Sequence, residues 1–182
     1  PYADYNEKAT EYADYFSDCF NDIQELIRKG WVMAGHDISA GGLITTLLEM
    51  TFANTTGGLH INLHDLGDED VVRTLFAENP GVVIQVSDEH KAELRKFFED
   101  HGIGYAKIGY PVPESRKIEI EKDGWKHEFD IDELRDVWYH TSYLLDQDQS
   151  MGGMARKRYL NYKKQPVEMK FPESFTGKLS QY

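Results

Sequence analysis

Asp37 and Ser39, two positions apart and followed at once by the pair Gly41-Gly42, have residue types and spacing that can do chemistry. A carboxylate such as Asp37 can ligate Mg²⁺, a hard cation that takes one or two carboxylates together with phosphate oxygens and water. A hydroxyl such as Ser39 can bond a phosphate or another ligand of the same ion. Glycines at a helix start leave backbone N–H groups open to an anion. Together these residues can hold a metal-bound nucleotide. They equally suit a structural role, with Asp37 or Ser39 capping the helix and the glycines relieving crowding.

The flanking sequence supplies elements that position such a group. Trp31-Val32-Met33-Ala34-Gly35 is short and apolar, the pattern of a buried strand ending at a sheet edge. Leu43 to Phe52 has few polar positions and reads as a helix. Strand, polar turn, helix is the order in which α/β proteins place ligand sites.

Further along, apolar residues at helical spacing from Tyr15 to Ile27 predict a helix over Thr10 to Lys29, stopped by Gly30. Leu59 to Leu63 reads as a strand, and a helix is expected from Asp68, as its N-cap, through Phe76. Val82 to Val86 is β-branched and bounded by turn residues, hence a strand. Glu89 to Asp100 reads as an amphipathic helix ending at Gly102, and Tyr105 to Tyr110 as a strand. Lys117 to Glu121 and Trp125 to Phe129 form a hairpin around Asp123-Gly124. Ile131 to Leu145 reads as a helix with Leu134, Val137, Trp138, Tyr143 and Leu144 inward, and beyond Gln147 the pattern decays into an extended connector. The fold class this implies is α/β (α+β), with helices on a mixed β-sheet.

The net charge of −12 argues against a nucleic-acid-binding module. The charge is uneven: from Met151 onward there are seven Lys or Arg against only Glu168 and Glu173, the pattern either of a basic tail that packs on an acidic neighbour or of a solvated tail. Cys19 has no second cysteine to pair with, and no apolar run reaches the roughly 18 residues a membrane helix needs. A cytoplasmic setting fits, with no signal peptide expected, and the start at Pro1 suggests a piece of a longer chain.

Other candidate residues have weaker cases. Cys19 lies in a helical pattern without a nucleophile turn and reads as a core residue. His60 and His64, four apart but in a strand-to-loop region, need not share a face, which argues against a metal site there. His36, beside Asp37, reads as a buried histidine satisfying a backbone carbonyl.

Gly35-His36-Asp37-Ile38-Ser39-Ala40-Gly41-Gly42-Leu43 resembles the HDxSDGGL signature in the second synthetase repeat of the phosphoribosylformylglycinamidine synthase family. The resemblance continues through Leu48 to Ala53, Leu75 to Glu78 with Gly81 to Val86, and Leu134 to Trp138 with Thr141 to Tyr143. It implies the C-terminal domain of an aminoimidazole ribonucleotide synthetase-like unit over residues 1–148, and a basic connector toward a glutaminase domain over 149–182. It further implies that Asp37 is a Mg²⁺ ligand and that Ser39 contacts ATP or ADP. The preceding synthetase-like N-terminal domain and the glutaminase domain would be its partners, with no nucleic acid or membrane. The family reaction converts the small-molecule substrate formylglycinamide ribonucleotide, with glutamine, water and ATP, to its amidine in purine biosynthesis, and a fragment alone is expected to be inactive. Ala40 departs from the pattern, which usually has an acidic residue there. The related selenophosphate synthetase-like group, and a scaffold domain without a nucleotide role, are the alternative readings.

Overall fold

Alternate residues of three strands build the floor of the core. In the computed structural model, which describes residues 2–67, 70–164 and 170, Leu59 and Ile61 of β2 (Gly58–Asn62) lie in register with Ile118 and Ile120 of β5 (Lys117–Lys122). Ile118 in turn sits opposite Phe129 of β6 (Trp125–Asp130). Period-two alternation sends these side chains to one face. There Ile61, Ile118 and Ile120 are buried with Leu43, Ile44 and Leu47 of α2 (Gly42–Phe52), Leu63, Leu75 of α3 (Val71–Phe76) and Ile131. Burying each such side chain contributes about 1.5–3 kcal/mol.

The strand order in this sheet is β4-β2-β5-β6, with β4 formed by Gly109–Val112. β2 pairs parallel with β5 and antiparallel with β4, so the sheet is mixed. A second, two-stranded antiparallel ribbon joins β1 (Val32–Ile38) to β3 (Gly81–Val86), with Asp37 opposite Val82 and Ile38 opposite Gly81. Partly buried Ile38 and Val83 of the ribbon pack against the same core that α2 helps to form.

α1 (Tyr2–Arg28) precedes the ribbon, and α4 (Lys91–His101) follows a single 3₁₀ turn at Asp88–His90. The two helices are tied by His101 Nδ1 and the carboxylate of buried Asp22, 2.8 Å apart, and by the Gly104 N–H, which donates to the Tyr15 hydroxyl at 2.9 Å. Leu26 of α1 is fully buried.

The chain divides into two units, Pro1–Leu134 and Arg135–Tyr182, the boundary falling inside α5 (Ile131–Gln149). In the second unit, α5 and α6 (Met154–Leu160) enclose Arg135. Its guanidinium stands 3.9 Å from the Tyr162 ring centroid and 4.7 Å from that of Tyr139, and it donates to the Tyr159 carbonyl at 3.1 Å.

The α/β class with a mixed sheet is present as expected, and several local expectations need correcting. β1 is not buried: Met33, Ala34, Gly35 and Asp37 are exposed, because a two-stranded ribbon has few neighbours to cover it. The helix expected from Thr10 begins at Tyr2, and Tyr15, Phe16, Phe20 and Ile27 on its apolar side are exposed. α3 begins at Val71 with Asp70 as its cap, accepting from the N–H groups of Val72 and Arg73, while Asp68 lies outside the described residues. The strand expected over Tyr105 to Tyr110 is β4, beginning at Gly109. On α5, Val137, Trp138 and Leu144 face outward, and Arg135 is buried, as is Ile131 at the helix start. The expected extended connector contains α6, and its remainder at 165–169 and 171–182 lies outside the described residues.

Candidate functional site

β1 delivers Asp37 to its next-to-last position, with the carboxylate 73% exposed. Ile38 anchors the strand end against the core, and the chain then turns through Ser39 and Ala40, both exposed. The Gly42 N–H donates to the Ser39 carbonyl at 3.0 Å and closes the turn. Gly41 and Gly42 follow with φ of +85° and +70°, a left-handed geometry that glycine alone adopts without strain. Asp37, Ser39 and the glycine pair are thus brought together on one short loop.

Neither Asp37 nor Ser39 caps the helix. Gly41 occupies the cap position of α2 and offers no side chain to the first-turn amides, which lack partners within the helix. The expectation of a capping role is therefore set aside, while the carboxylate of Asp37 points to solvent.

Three neighbours shape the loop. The buried hydroxyl of Thr46 lies 3.0 Å from the Asp37 carbonyl and 3.3 Å from that of Gly42, within donating range of both. Glu78 accepts from the Gly41 N–H at 2.8 Å. The end of α3 presses on Gly42, where a Cβ would meet the Leu75 carbonyl oxygen and the Phe76 carbonyl carbon at 2.7 Å.

His36 is half-buried rather than buried, and does satisfy a carbonyl: its Nδ1 donates to the Asp37 main-chain oxygen at 2.7 Å, with Nε2 3.3 Å from Glu49. Glu49, Thr46 and Glu78 were missed as parts of this site by sequence reasoning. A threonine pair in an apolar helix, its second member four residues after a glycine, was the available signal for Thr46; nothing local marks Glu78.

The donor set can be weighed against a Mg²⁺ ion. Asp37 offers an exposed carboxylate, and among the described residues no group of three or more His, Cys, Asp or Glu stands close enough to hold a metal. This chain therefore suits an ion that takes one protein carboxylate and completes its shell with phosphate oxygens, water and groups from elsewhere, the ordinary habit of Mg²⁺ beside a nucleotide.

The remaining candidates lie apart from the loop. His60 sits 3.8 Å from Glu119 and 3.6 Å from Glu121 on the outer face of the four-stranded sheet, beside a hollow of about 440 Å³, and stacks on Tyr110. His64 pairs with Asp123 at 2.7 Å, which raises its pKa above the ordinary histidine value, the hydrogen bond being the main cause. Cys19 is half-buried on α1 and unbonded to sulfur. Among the described residues, no helix is long and apolar enough to cross a membrane.

The family described as AIR synthase related protein, C-terminal domain, matches residues 6–121. A probable phosphoribosylformylglycinamidine synthase, chloroplastic/mitochondrial, of Arabidopsis thaliana is 34% identical over 157 residues, 84% of this chain and 11% of that protein. The phosphoribosylformylglycinamidine synthase of Homo sapiens is 34% identical over 134 residues, 72% of this chain and 10% of that protein. The chain thus spans about a tenth of the length of these relatives. A solved Thermotoga maritima PurL, complexed with ATP, shares the fold at a TM-score of 0.56 and 16% identity, covering 65% of this chain and 21% of that one.

Proposed function

The chain belongs to the AIR synthase related protein, C-terminal domain family, and from that premise we propose that it is the C-terminal domain of a synthetase-like repeat in a phosphoribosylformylglycinamidine synthase. In that role residues 1–148 form the domain and 149–182 a basic connector toward a glutaminase domain. The preceding synthetase-like N-terminal domain closes over the loop at Asp37. The whole enzyme is an ATP-dependent, glutamine-dependent ligase that turns formylglycinamide ribonucleotide into its amidine, in the cytoplasm. This piece alone is inactive.

The observation that carries the reading is the exposed carboxylate of Asp37 beside Ser39, held at a strand end next to an uncapped helix start. Asp37 holds Mg²⁺, and Ser39 bonds the nucleotide. The bound ion neutralises phosphate charge and orients the nucleotide. The first-turn amides of α2 favour the same anion. An exposed Asp37 also speaks against a scaffold role, which would have it turned inward onto backbone N–H groups.

Calorimetric titration of Mg-ADP into the full-length protein carrying this domain, with Asp37 intact and as Asp37→Asn, tests this. Loss of binding in the variant assigns Asp37 to the ion. Unchanged binding removes Asp37 from the site and leaves it a surface residue.

A further inference from the structure

Gly41 is held by contacts and not by its own conformational preference. Two consecutive glycines at positive φ have little steric bias of their own, so the peptide between Ala40 and Gly41 can rotate unless its groups are gripped. In the next peptide, the Gly41 carbonyl accepts from Thr45 Oγ1 at 3.1 Å. The Gly41 N–H is taken by Glu78 Oε1 at 2.8 Å, across 37 residues of sequence. Glu78 is itself exposed, so nothing in the core requires its side chain to point there.

The chain geometry explains how it arrives. α3 ends at Phe76, and Ala77 takes an extended conformation with φ −68° and ψ 128°, turning the next residue off the helix. The main chain of Leu75 to Ala77 rests against Gly42, where added atoms would collide at 2.7–2.9 Å. Adjacent residues of the loop, Gly41 and Gly42, therefore receive a hydrogen bond and a steric stop from the same short segment. The steric stop limits translation of the loop, and the hydrogen bond fixes the rotation of its peptide.

We propose that Glu78 is a positioning residue for the Asp37–Ser39 loop: by gripping the Gly41 N–H it sets the direction in which Asp37 and Ser39 are presented to the nucleotide. This rests on the nucleotide reading above. The acceptor oxygen performs the task, and the negative charge is not required.

The test uses the full-length protein with Glu78→Gln, which keeps an acceptor oxygen, and Glu78→Ala, which removes it. Exchange of the Gly41 amide is followed by mass spectrometry without nucleotide, and Mg-ADP affinity by calorimetry. Glu78→Ala is expected to speed Gly41 exchange and weaken Mg-ADP binding by about tenfold each, the scale of one hydrogen bond. Glu78→Gln should stay within about twofold of wild type on both, and the melting temperature of both variants should stay close to wild type because Glu78 is exposed. Equal loss in both variants would overturn the proposal by placing the charge itself at the ion. Unchanged exchange and affinity in Glu78→Ala, or tighter binding, would overturn it as well. If Asp37→Asn leaves binding intact while Glu78→Ala still frees the Gly41 amide, the nucleotide reading fails and the grip on the loop stands.

Discussion

The Thr46 hydroxyl lies 3.0 Å from the Asp37 carbonyl, linking the first turns of α2 to the end of β1 across nine residues. Thr46 is 1% exposed, and its loss leaves the Asp37 carbonyl to the His36 donor. Thr46→Val keeps the shape and removes the donor. It is expected to destabilise the protein by about 0.5–1.5 kcal/mol, read from chemical denaturation, and to weaken Mg-ADP binding of the full-length protein by loosening Asp37.

Gly42 and Gly30 have nearly the same backbone, with φ of +70° and +72°, and very different surroundings. A Cβ on Gly30 meets nothing within 4 Å, whereas on Gly42 it meets main-chain atoms of Leu75, Phe76 and Ala77. Gly30→Ala should therefore cost only the left-handed penalty, about 1–2 kcal/mol. Gly42→Ala adds overpacking against backbone that cannot step aside, raising the loss by about a further 1–3 kcal/mol. Parallel urea titrations measure the difference.

His64 is exposed, and its pKa is raised above 6.5 by the hydrogen bond and charge of Asp123. A raised folded-state pKa stabilises the protein below the unfolded value, and that contribution fades as pH rises through the folded value. The expected sign is a small gain on acidification past neutrality. An NMR titration of the His64 ring should give a pKa above 6.5, returning toward it in Asp123→Asn. Asparagine suits the left-handed turn position, so the hairpin should persist.

Arg135 is 7% exposed and lies against Tyr139, Tyr159 and Tyr162. Arg135→Ala removes those ring contacts and the bond to the Tyr159 carbonyl together. Amide exchange over Met154–Leu160 should accelerate by at least about tenfold, while exchange in β5 and β6 stays as in wild type.

How much could be read in the sequence depended on whether a residue's role is set by its neighbours in the chain. The Asp123-Gly124 turn was legible because both residues need positive φ, 47° and 91°, and their types announce it. Val82 to Val86 was legible from β-branching. The strand read at Tyr105 to Tyr110 lies at Gly109–Val112 and includes Pro111, because β4 is an edge strand, where a missing N–H is tolerated. Counting apolar spacing on α5 placed Trp138 and Val137 inside and passed over Arg135, because a guanidinium stacked on tyrosines carries no apolar signature. α6 was hidden by its basic composition and by Gly152-Gly153.

The candidate site shows the same limit. Asp37, Ser39 and the glycines are contiguous, so their meeting followed from the sequence alone. Glu78 reaches the loop from 37 residues away and Thr46 through its burial, and both depend on how α2 and α3 pack.

The parallel pairing of β2 with β5 also fixes an order of events at the ribosome. β2 is complete at Asn62, but its neighbours β4 and β5 begin only at Gly109 and Lys117. At about 5–20 residues per second, β2 spends on the order of seconds without either partner. Through that interval Leu59 and Ile61 have α2, and then α3 with Leu75, to pack against, and the hairpin of β5 and β6, which closes in about 1–10 μs once synthesised, arrives last to complete the sheet.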